Sequence, residues 1–189
     1  MTRIIELSHR SPSGRGRPDS QQAGGREAQA RQGEASSKAA GLGAFSLLRA
    51  IVLESVGPIR HEVSVPFHDS QVRRAALLIQ TGWDEYWGTE AYWNPGPFLG
   101  EHLIFRCVRA GVRVVGVDFP VADRTNETRL LSTGNISIIE NLRGLASLPR
   151  VGFRFSAIAL EQSSEPVPVR AFAEIGNPGS GISGTHPEF

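Results

Sequence analysis

The sequence predicts an α/β fold built on one mixed β-sheet, and three observations support this. Residues 74–82 and 112–118 are apolar, strand-like runs, and an amphipathic helical stretch, 98–111, separates them. A strand, a helix and a second strand in this order predict a parallel pair joined by a crossover. Residues 151–160 and 167–175 are strand-like runs joined by a short polar loop, which predicts an antiparallel hairpin. The sheet should therefore contain both kinds of pairing.

The crossover helix is predicted by the spacing of its apolar residues. Positions 99, 103, 104, 107 and 108 lie on one helical face, and Gly111 is a natural C-terminal stop. The apolar run 112–120 that follows is typical of a strand covered on both faces. The other predicted elements are strands at 3–7 and 135–142, a helical turn running into a strand at 45–55, an edge strand or loop at 61–69 because of Pro66, and a short helix at 127–134.

The apolar residues divide the chain into four parts. The chain has 189 residues, 40% of them hydrophobic, which fits one domain with additional segments. Residues 11–41 contain no Val, Ile, Leu or aromatic residue, so they cannot offset the entropy lost on ordering. We therefore expect a first strand in 1–10, a loosely packed low-complexity segment in 11–45 with few regular elements, a globular domain in 46–175 and a loose tail in 176–189.

Charge and cysteine content exclude several classes of partner. The net charge is +1, which gives no strong attraction to nucleic acid or to an anionic membrane. No run of 18 apolar residues and no signal-like N-terminus is present, and the single cysteine, Cys107, cannot form an internal disulfide. We therefore expect a cytoplasmic protein without nucleic-acid or membrane partners, with Cys107 as a buried, inert thiol. Assembly into a homo-oligomer stays open.

One segment holds all three tryptophans and both tyrosines of the chain, "LLIQTGWDEYWGTEAYW" at 77–93. Aromatic rings bury large apolar areas in a core, and they also line ligand pockets. Both interpretations stay open for Trp83 and Trp87, whereas packing is favoured for Trp93. If the rings line a cleft, the partner is a small aromatic substrate or ligand.

Two acidic residues at strand ends are candidates for a site. Asp118 ends the run 112–118, and the carboxyl ends of parallel strands are where open α/β sheets bind ligands. A substrate contact and a capping role are both open for it. Glu140 lies in an apolar strand, where a buried acid needs a partner. That partner could be a metal ion or a salt bridge to Arg143 or Arg170.

Histidines offer only a weak alternative metal site. His61, His68 and Asp69 lie close together in the sequence, but a straight strand would place the two histidines on opposite faces. We therefore favour surface and loop roles for these three residues and keep them as a fallback metal site. The remaining histidines, His9, His102 and His186, are assigned structural or no roles.

Four motifs occur in an order and spacing that resemble one family. They are the segment at 77–93, "GVRVVGVDFP", "IIENLRGLASLP" and "PVRAFAEI", and "RIIELSH" at 3–9 is similar to the opening strand. Together they resemble the putative cyclase family, which includes bacterial kynurenine formamidase. The resemblance implies a mixed sheet or barrel-like core with flanking helices, of the swivelling β/β/α type. It also implies a hydrolase that opens aryl amides or esters, such as N-formylkynurenine, with zinc or manganese.

The residues at the family's metal-binding positions are only partly kept. The family's motif His-x-Gly-Thr-His-x-Asp-x-Pro-x-His is absent, and segment 11–41 stands in its place. Glu140 matches a glutamate that the family uses at the metal, and Glu127 stands where the family has a histidine. Trp83 and Trp87 match a loop that lines the substrate cleft. We therefore expect that this chain does not hold zinc or manganese tightly on its own.

Three hypotheses about function follow. The first is a divergent metal-dependent hydrolase resembling kynurenine formamidase, with impaired activity as one form of it. The second is a non-catalytic relative, a pseudoenzyme that binds a small molecule or a partner through the aromatic cleft. The third is an altered coding sequence in which residues 11–41 replace the region that carried the metal ligands. Metal analysis together with an arylformamidase assay separates them.

Overall fold

The computed structural model describes residues 1–9, 29–32, 45–58, 62–121, 136–159 and 167–176. Within these residues the chain forms eight strands, two α-helices and three short 3-10 turns. The strands are β1 (Arg3–Glu6), β2 (Gln29–Gln32), β3 (Leu48–Glu54), β4 (Ala76–Gln80), β5 (Val114–Val117), β6 (Ser137–Glu140), β7 (Phe153–Ala159) and β8 (Val167–Ile175). The helices are α1 (Asp69–Val72) and α2 (Glu101–Ala110), and the 3-10 turns are Trp83–Tyr86, Glu90–Trp93 and Leu145–Ser147.

All eight strands belong to one mixed sheet, as the sequence predicts. Their order is β1-β8-β2-β6-β5-β4-β3-β7, and β7 also pairs with β8. That last pairing curls the sheet back onto itself and gives a barrel-like core. The pairs β3–β4, β4–β5 and β5–β6 are parallel. The hairpin of β7 and β8 is antiparallel, so the predicted fold class and both predicted pairings are confirmed.

The central strands are buried on both faces, because apolar side chains pack on each side of the sheet. On β4, Leu77 and Ile79 join a cluster that also holds residues of α2. Ala76 and Leu78, on the opposite face, pack with Phe153 and other residues of the barrel interior. Such double coverage is typical of parallel strands and explains why this run has no polar alternation.

Helix α2 covers the outer face of the sheet. Leu103, Ile104 and Cys107 are at most 5% exposed, and Gly111 ends the helix in the left-handed conformation with φ 73°. Burial raises the pKa of the Cys107 thiol to about 12, so the thiol stays protonated and inert. The helix and its glycine stop are therefore confirmed, with the helix starting at Glu101. None of the described helices is long and apolar enough to cross a membrane.

Three local features differ from the prediction or refine it. Gln29–Gln32, inside the segment expected to have few regular elements, forms β2 and pairs with β6 and β8. Its backbone pairs with the N–H and C=O groups at the edges of β6 and β8. Side-chain composition does not reveal that a segment pairs in this way. Residues 45–47 form bends instead of the predicted helical turn, and residues 62–68 form a loop with an isolated bridge from Glu62 to Phe98. The predicted helix at 127–134 lies outside the described residues.

Candidate functional site at the carboxyl ends of the parallel strands

Polar side chains gather where β4, β5 and β6 end. Thr81 follows β4, Asp118 follows β5, and Asn141 follows Glu140, the last residue of β6. Since parallel strands share a direction, these ends lie at one edge of the sheet, the usual place for a ligand in such folds. The sequence prediction for Asp118 rested on this geometry, whereas the prediction for Glu140 rested on its place in an apolar strand and on the family resemblance.

Asp118 joins β5 to the turn that opens the aromatic segment. Its carboxylate is fully buried, and Oδ2 accepts hydrogen bonds from the backbone nitrogens of Thr81 and Gly82, both at 2.8 Å. Oδ1 accepts a third hydrogen bond, from the Thr81 hydroxyl at 2.6 Å. Burial raises the pKa of Asp118 to about 6, although these hydrogen bonds act in the opposite direction. The contacts support the capping role, and a substrate contact stays a prediction.

Trp83 packs into the core beneath this turn. Its side chain is 0% exposed, and Nε1 donates a hydrogen bond to the carbonyl oxygen of Tyr92 at 3.1 Å. A Cβ atom at Gly96 would lie only 2.6 Å from the Trp83 ring, so the ring packs directly against backbone there. The geometry therefore favours packing for Trp83, and its predicted contact with substrate is untested. Trp93, for which packing was favoured, is 36% exposed.

Tyr92 connects the aromatic segment to the ends of β5 and β6. Its buried hydroxyl donates a hydrogen bond to Asn141 Oδ1 at 2.9 Å, and the carbonyl oxygen of Asp118 lies 3.3 Å away. Burial raises the pKa of Tyr92 well above its usual range, and the negative charges of Asp118, Glu140 and Asp84 add to the effect. The hydroxyl therefore stays neutral and remains a donor at all ordinary pH values. A second contact joins the aromatic segment to the residues that follow β6: Asp84 Oδ2 accepts a hydrogen bond from the backbone nitrogen of Gly144 at 2.8 Å.

Glu140 is a buried acid at the same edge. Its side chain is 3% exposed, and Oε2 accepts a hydrogen bond from the backbone nitrogen of Val121 at 2.6 Å. Asn141, directly after it, has a left-handed backbone with φ 60°. Arg170, one of the two arginines predicted as alternative partners, forms an ion pair with Glu6 at 2.7 Å. Whether Glu140 binds a metal stays a prediction.

His9 and Trp87 complete the site. Trp87 was predicted as a substrate-binding residue, whereas His9 was not among the predicted site residues. The imidazole of His9 stacks on the indole of Trp87 at 3.7 Å with an interplanar angle of 8°. His9 is 8% exposed, whereas Trp87 is half-buried. Burial and the positive charge of Arg143 lower the pKa of His9 to about 4, so the ring is neutral at pH 7. A plain structural role was favoured for His9, although in the resembled family a residue near this position, at the end of the motif "RIIELSH", can face the site.

The fallback histidine group lies at a different place. His68 precedes α1, where its backbone nitrogen donates to Gln71 Oε1 at 2.9 Å. Asp69 forms a surface ion pair with Arg109 of α2 at 3.5 Å. These contacts lie at the surface beside α1 and α2, whereas Glu140 ends β6, and His102 is exposed on α2. His61, Glu127 and His186 lie outside the described residues.

The described residues do not by themselves fit the metal site that the resemblance implies. Within the ranges that the structure describes, no group of three or more His, Cys, Asp or Glu side chains could hold a metal ion. A catalytic zinc site needs about three protein ligands. A complete set would therefore have to draw on residues outside those ranges, and we derive no chemical step through a metal.

Comparisons with known proteins agree with the fold and with part of the resemblance. The model of the family described as "Putative cyclase" matches residues 58–124. An uncharacterized protein of Methanocaldococcus jannaschii is 31% identical over 86 residues, which is 45% of this chain and 45% of that protein. The match thus spans less than half the length of this curated relative.

Similar solved structures cover nearly the whole chain. Isatin hydrolase A from Labrenzia aggregata, bound to benzyl benzoate, has a TM-score of 0.68 at 16% identity. The match covers 92% of this chain and 94% of that protein. Isatin hydrolase A from Ralstonia solanacearum has a TM-score of 0.67 at 16% identity, with coverages of 93% and 92%. A protein described as a potential metal-dependent hydrolase with cyclase activity has a TM-score of 0.57 at 12% identity, with coverages of 94% and 100%. The chain thus has the fold of cyclase-like hydrolases.

Proposed function

We propose that the chain is a cyclase-family hydrolase that opens an aryl amide or ester at the ends of β4, β5 and β6. The observation that carries the proposal is the buried cluster of Glu140, Asp118, Tyr92 and Asn141 beside the stacked rings of His9 and Trp87. The shared fold and the family match over residues 58–124 support the same conclusion. Both the bacterial kynurenine formamidase type of substrate and the cyclic amide isatin belong to this chemical class.

Each residue of the cluster has a role that follows from its contacts. Asp118 fixes the turn that carries the aromatic segment, and Tyr92 ties that segment to Asn141. Glu140 supplies a buried carboxylate whose orientation is set by the Val121 backbone. Trp87, half-buried, provides an aromatic surface against which a planar substrate can lie. These groups bind and orient a substrate and place a carboxylate close to it.

A divalent metal is part of the proposal because a similar structure is described as a potential metal-dependent hydrolase. Zinc and manganese are the two candidates. The purified full chain is assayed with N-formylkynurenine and with isatin in buffer that contains zinc or manganese. Hydrolysis of either substrate that is lost with a chelator and restored by metal supports the proposal. No turnover of either substrate with either metal contradicts it.

A non-catalytic relative is the second candidate, and one observation favours it. The sequence has no histidine between residues 10 and 60, where the resembled family carries its metal motif. The same preparation separates the two functions, because a binding protein would raise its melting temperature with an aryl ligand but release no product. The first candidate instead requires product formation above the metal-only background.

A further inference from the structure

A buried histidine at the end of β1 has no partner for one of its nitrogens. The antiparallel bridge between Ser8 and Leu142 places His9 across from Asn141, at the edge where β6 ends. The side chain is 8% exposed, and in the described part of the chain His9 Nε2 is the one buried side-chain nitrogen or oxygen without a hydrogen-bond partner. Leaving such an atom unpaired in the interior is unfavourable, because it loses the hydrogen bond that water would have given it. That cost, beside the candidate site, points to a partner that the described residues do not supply.

The orientation of the imidazole is fixed by the rings around it. His9 stacks on Trp87 at 3.7 Å, and Trp87 meets the edge of Tyr92 at 5.0 Å with an interplanar angle of 79°. Tyr92 is held in turn by its hydrogen bond to Asn141. The plane of the imidazole is therefore held in place, since tilting the ring out of that plane would lose the stacking contact.

The charges nearby indicate which kind of atom would bind. Burial and Arg143 keep the His9 ring neutral, and a neutral imidazole has one N–H donor. The positive charge of Arg143 favours a ligand atom with negative charge or partial charge near the ring. Carbonyl and carboxylate oxygens meet this requirement, whereas an ammonium group does not.

We propose that His9 Nε2 donates a hydrogen bond to a carbonyl or carboxylate oxygen of a planar aromatic ligand that lies beside Trp87. The aromatic nature of the ligand rests on the proposed function, whereas the oxygen contact rests on His9 itself. Nε2 is closed off from solvent in the ligand-free chain, so the ligand must open the imidazole edge as it binds. The resulting hydrogen bond forms in dry surroundings, where it is stronger than in water.

The test measures binding and not turnover. The fluorescent probe 2-aminobenzoate is titrated into the full-length wild type and the His9→Phe variant at pH 7. Phenylalanine keeps a ring to stack on Trp87 but removes the nitrogen, so we expect affinity to fall roughly tenfold or more. Aniline, which has the ring and the amine but no carbonyl oxygen, should bind both proteins alike. The matched control His102→Phe changes an exposed histidine on α2 and should bind 2-aminobenzoate as the wild type does.

Two results would overturn the proposal. One is equal affinity of wild type and His9→Phe for 2-aminobenzoate, and the other is no binding to the wild type. A second measurement uses the wild type alone, so it does not depend on how His9→Phe folds. The ¹⁵N resonance of His9 Nε2, assigned through its absence in His9→Phe or His9→Gln, must shift when 2-aminobenzoate is added, and an unmoved resonance contradicts the contact.

The outcome is distinguishable from that of the proposed function. Binding that depends on His9 without any hydrolysis supports this inference while the hydrolase proposal fails. Hydrolysis by the wild type with a KM that is unchanged in His9→Phe supports the hydrolase proposal and contradicts the contact from His9.

Discussion

The hydroxyl of Tyr92 donates a hydrogen bond to Asn141 Oδ1 at 2.9 Å, across 49 residues of sequence. This contact joins the aromatic segment to the end of β6, directly beside the buried acid Glu140. Trp83 adds to it, since its indole nitrogen donates to the carbonyl oxygen of Tyr92 at 3.1 Å. The aromatic segment is thus fixed to the strand ends by buried polar contacts as well as by apolar packing.

Replacing Tyr92 by phenylalanine should destabilise the fold. The substitution removes the hydroxyl that donates to the buried Asn141 Oδ1, and losing one side of a buried hydrogen bond costs about 1–3 kcal/mol in the free energy of unfolding. Urea unfolding of the wild type and Tyr92→Phe measures the difference. Tyr86→Phe is the matched control, because Tyr86 is 36% exposed and its loss should change stability by less than about 0.5 kcal/mol. Equal effects of the two substitutions would show that the Tyr92 hydrogen bond contributes nothing.

The left-handed backbone of Asn141 should make glycine a better replacement than alanine. Its φ is 60°, a conformation that costs an ordinary L-residue roughly 1–2 kcal/mol and glycine almost nothing. Both substitutions remove the acceptor for Tyr92, so their difference isolates the backbone term. We expect Asn141→Ala to be about 1 kcal/mol less stable than Asn141→Gly in urea unfolding. Alanine equal to or better than glycine would contradict the assigned conformation.

The contribution of Asp118 to the stability of the wild type should fall as pH rises from about 4 to 7. Its pKa is raised to about 6 from 3.8, so the folded state holds a proton that the unfolded state has already lost in this window. The Asp118 contribution to the unfolding free energy therefore decreases with pH, by roughly 2–3 kcal/mol in total at 1.36 kcal/mol for each pKa unit. Asp118→Asn lacks this dependence while all other titrating groups remain.

The measurement is the difference in unfolding free energy, wild type minus Asp118→Asn, at pH 4, 5, 6 and 7. We expect that difference to fall with pH and to level off above pH 6. A difference that rises with pH would mean that the hydrogen bonds from Thr81 and Gly82 outweigh burial and hold the pKa of Asp118 below its ordinary value.

Adding a methyl group at Gly96 should disturb Trp83. The new Cβ would lie 2.6 Å from the indole ring, so the ring or the backbone has to move, and overpacking of this kind costs about 1–3 kcal/mol. Thermal unfolding and tryptophan fluorescence of Gly96→Ala would report the change. Gly176→Ala is the control, because its Cβ would meet nothing within 4 Å. Equal melting temperatures for the two variants would show that the Trp83 ring and the backbone move apart without a loss of stability.

Periodicity was enough to predict the sheet and the crossover helix. The run around Leu77 to Ile79 is continuously apolar because both of its faces are covered, and the apolar spacing from Leu99 to Val108 marks one helical face. β2 could not be predicted, since Gln29–Gln32 is held by backbone pairing and contains no large apolar residue. The strand-end position of Asp118 was predicted from the strand order, whereas Glu140 was singled out as an acid in an apolar strand that matches a glutamate of the resembled family.

Side-chain partners within the site could not be predicted from spacing. Nothing in the sequence shows that Tyr92 meets Asn141 or that Trp83 is fully buried, because both contacts depend on how the segment folds back over the strand ends. His9 is separated from Trp87 by most of the first half of the chain, so their stacking is a product of the closed sheet. The sequence also could not separate the packing and ligand roles of aromatic rings, since both favour the same residues.

The most direct test of the hydrolase account is the effect of Glu140→Gln on product formation. Glutamine keeps the size of the side chain and an oxygen that can accept from Val121, but it removes the negative charge. Glu54→Gln is the matched control, because Glu54 is an exposed carboxylate at the end of β3, which β4 and β5 separate from β6 in the same sheet. With metal-loaded protein and an aryl amide substrate, we expect kcat/KM to fall about 100-fold or more in Glu140→Gln, a loss of about 2.7 kcal/mol or more in transition-state stabilisation. Glu54→Gln should keep wild-type activity, and hydrolysis that survives Glu140→Gln unchanged would contradict the account.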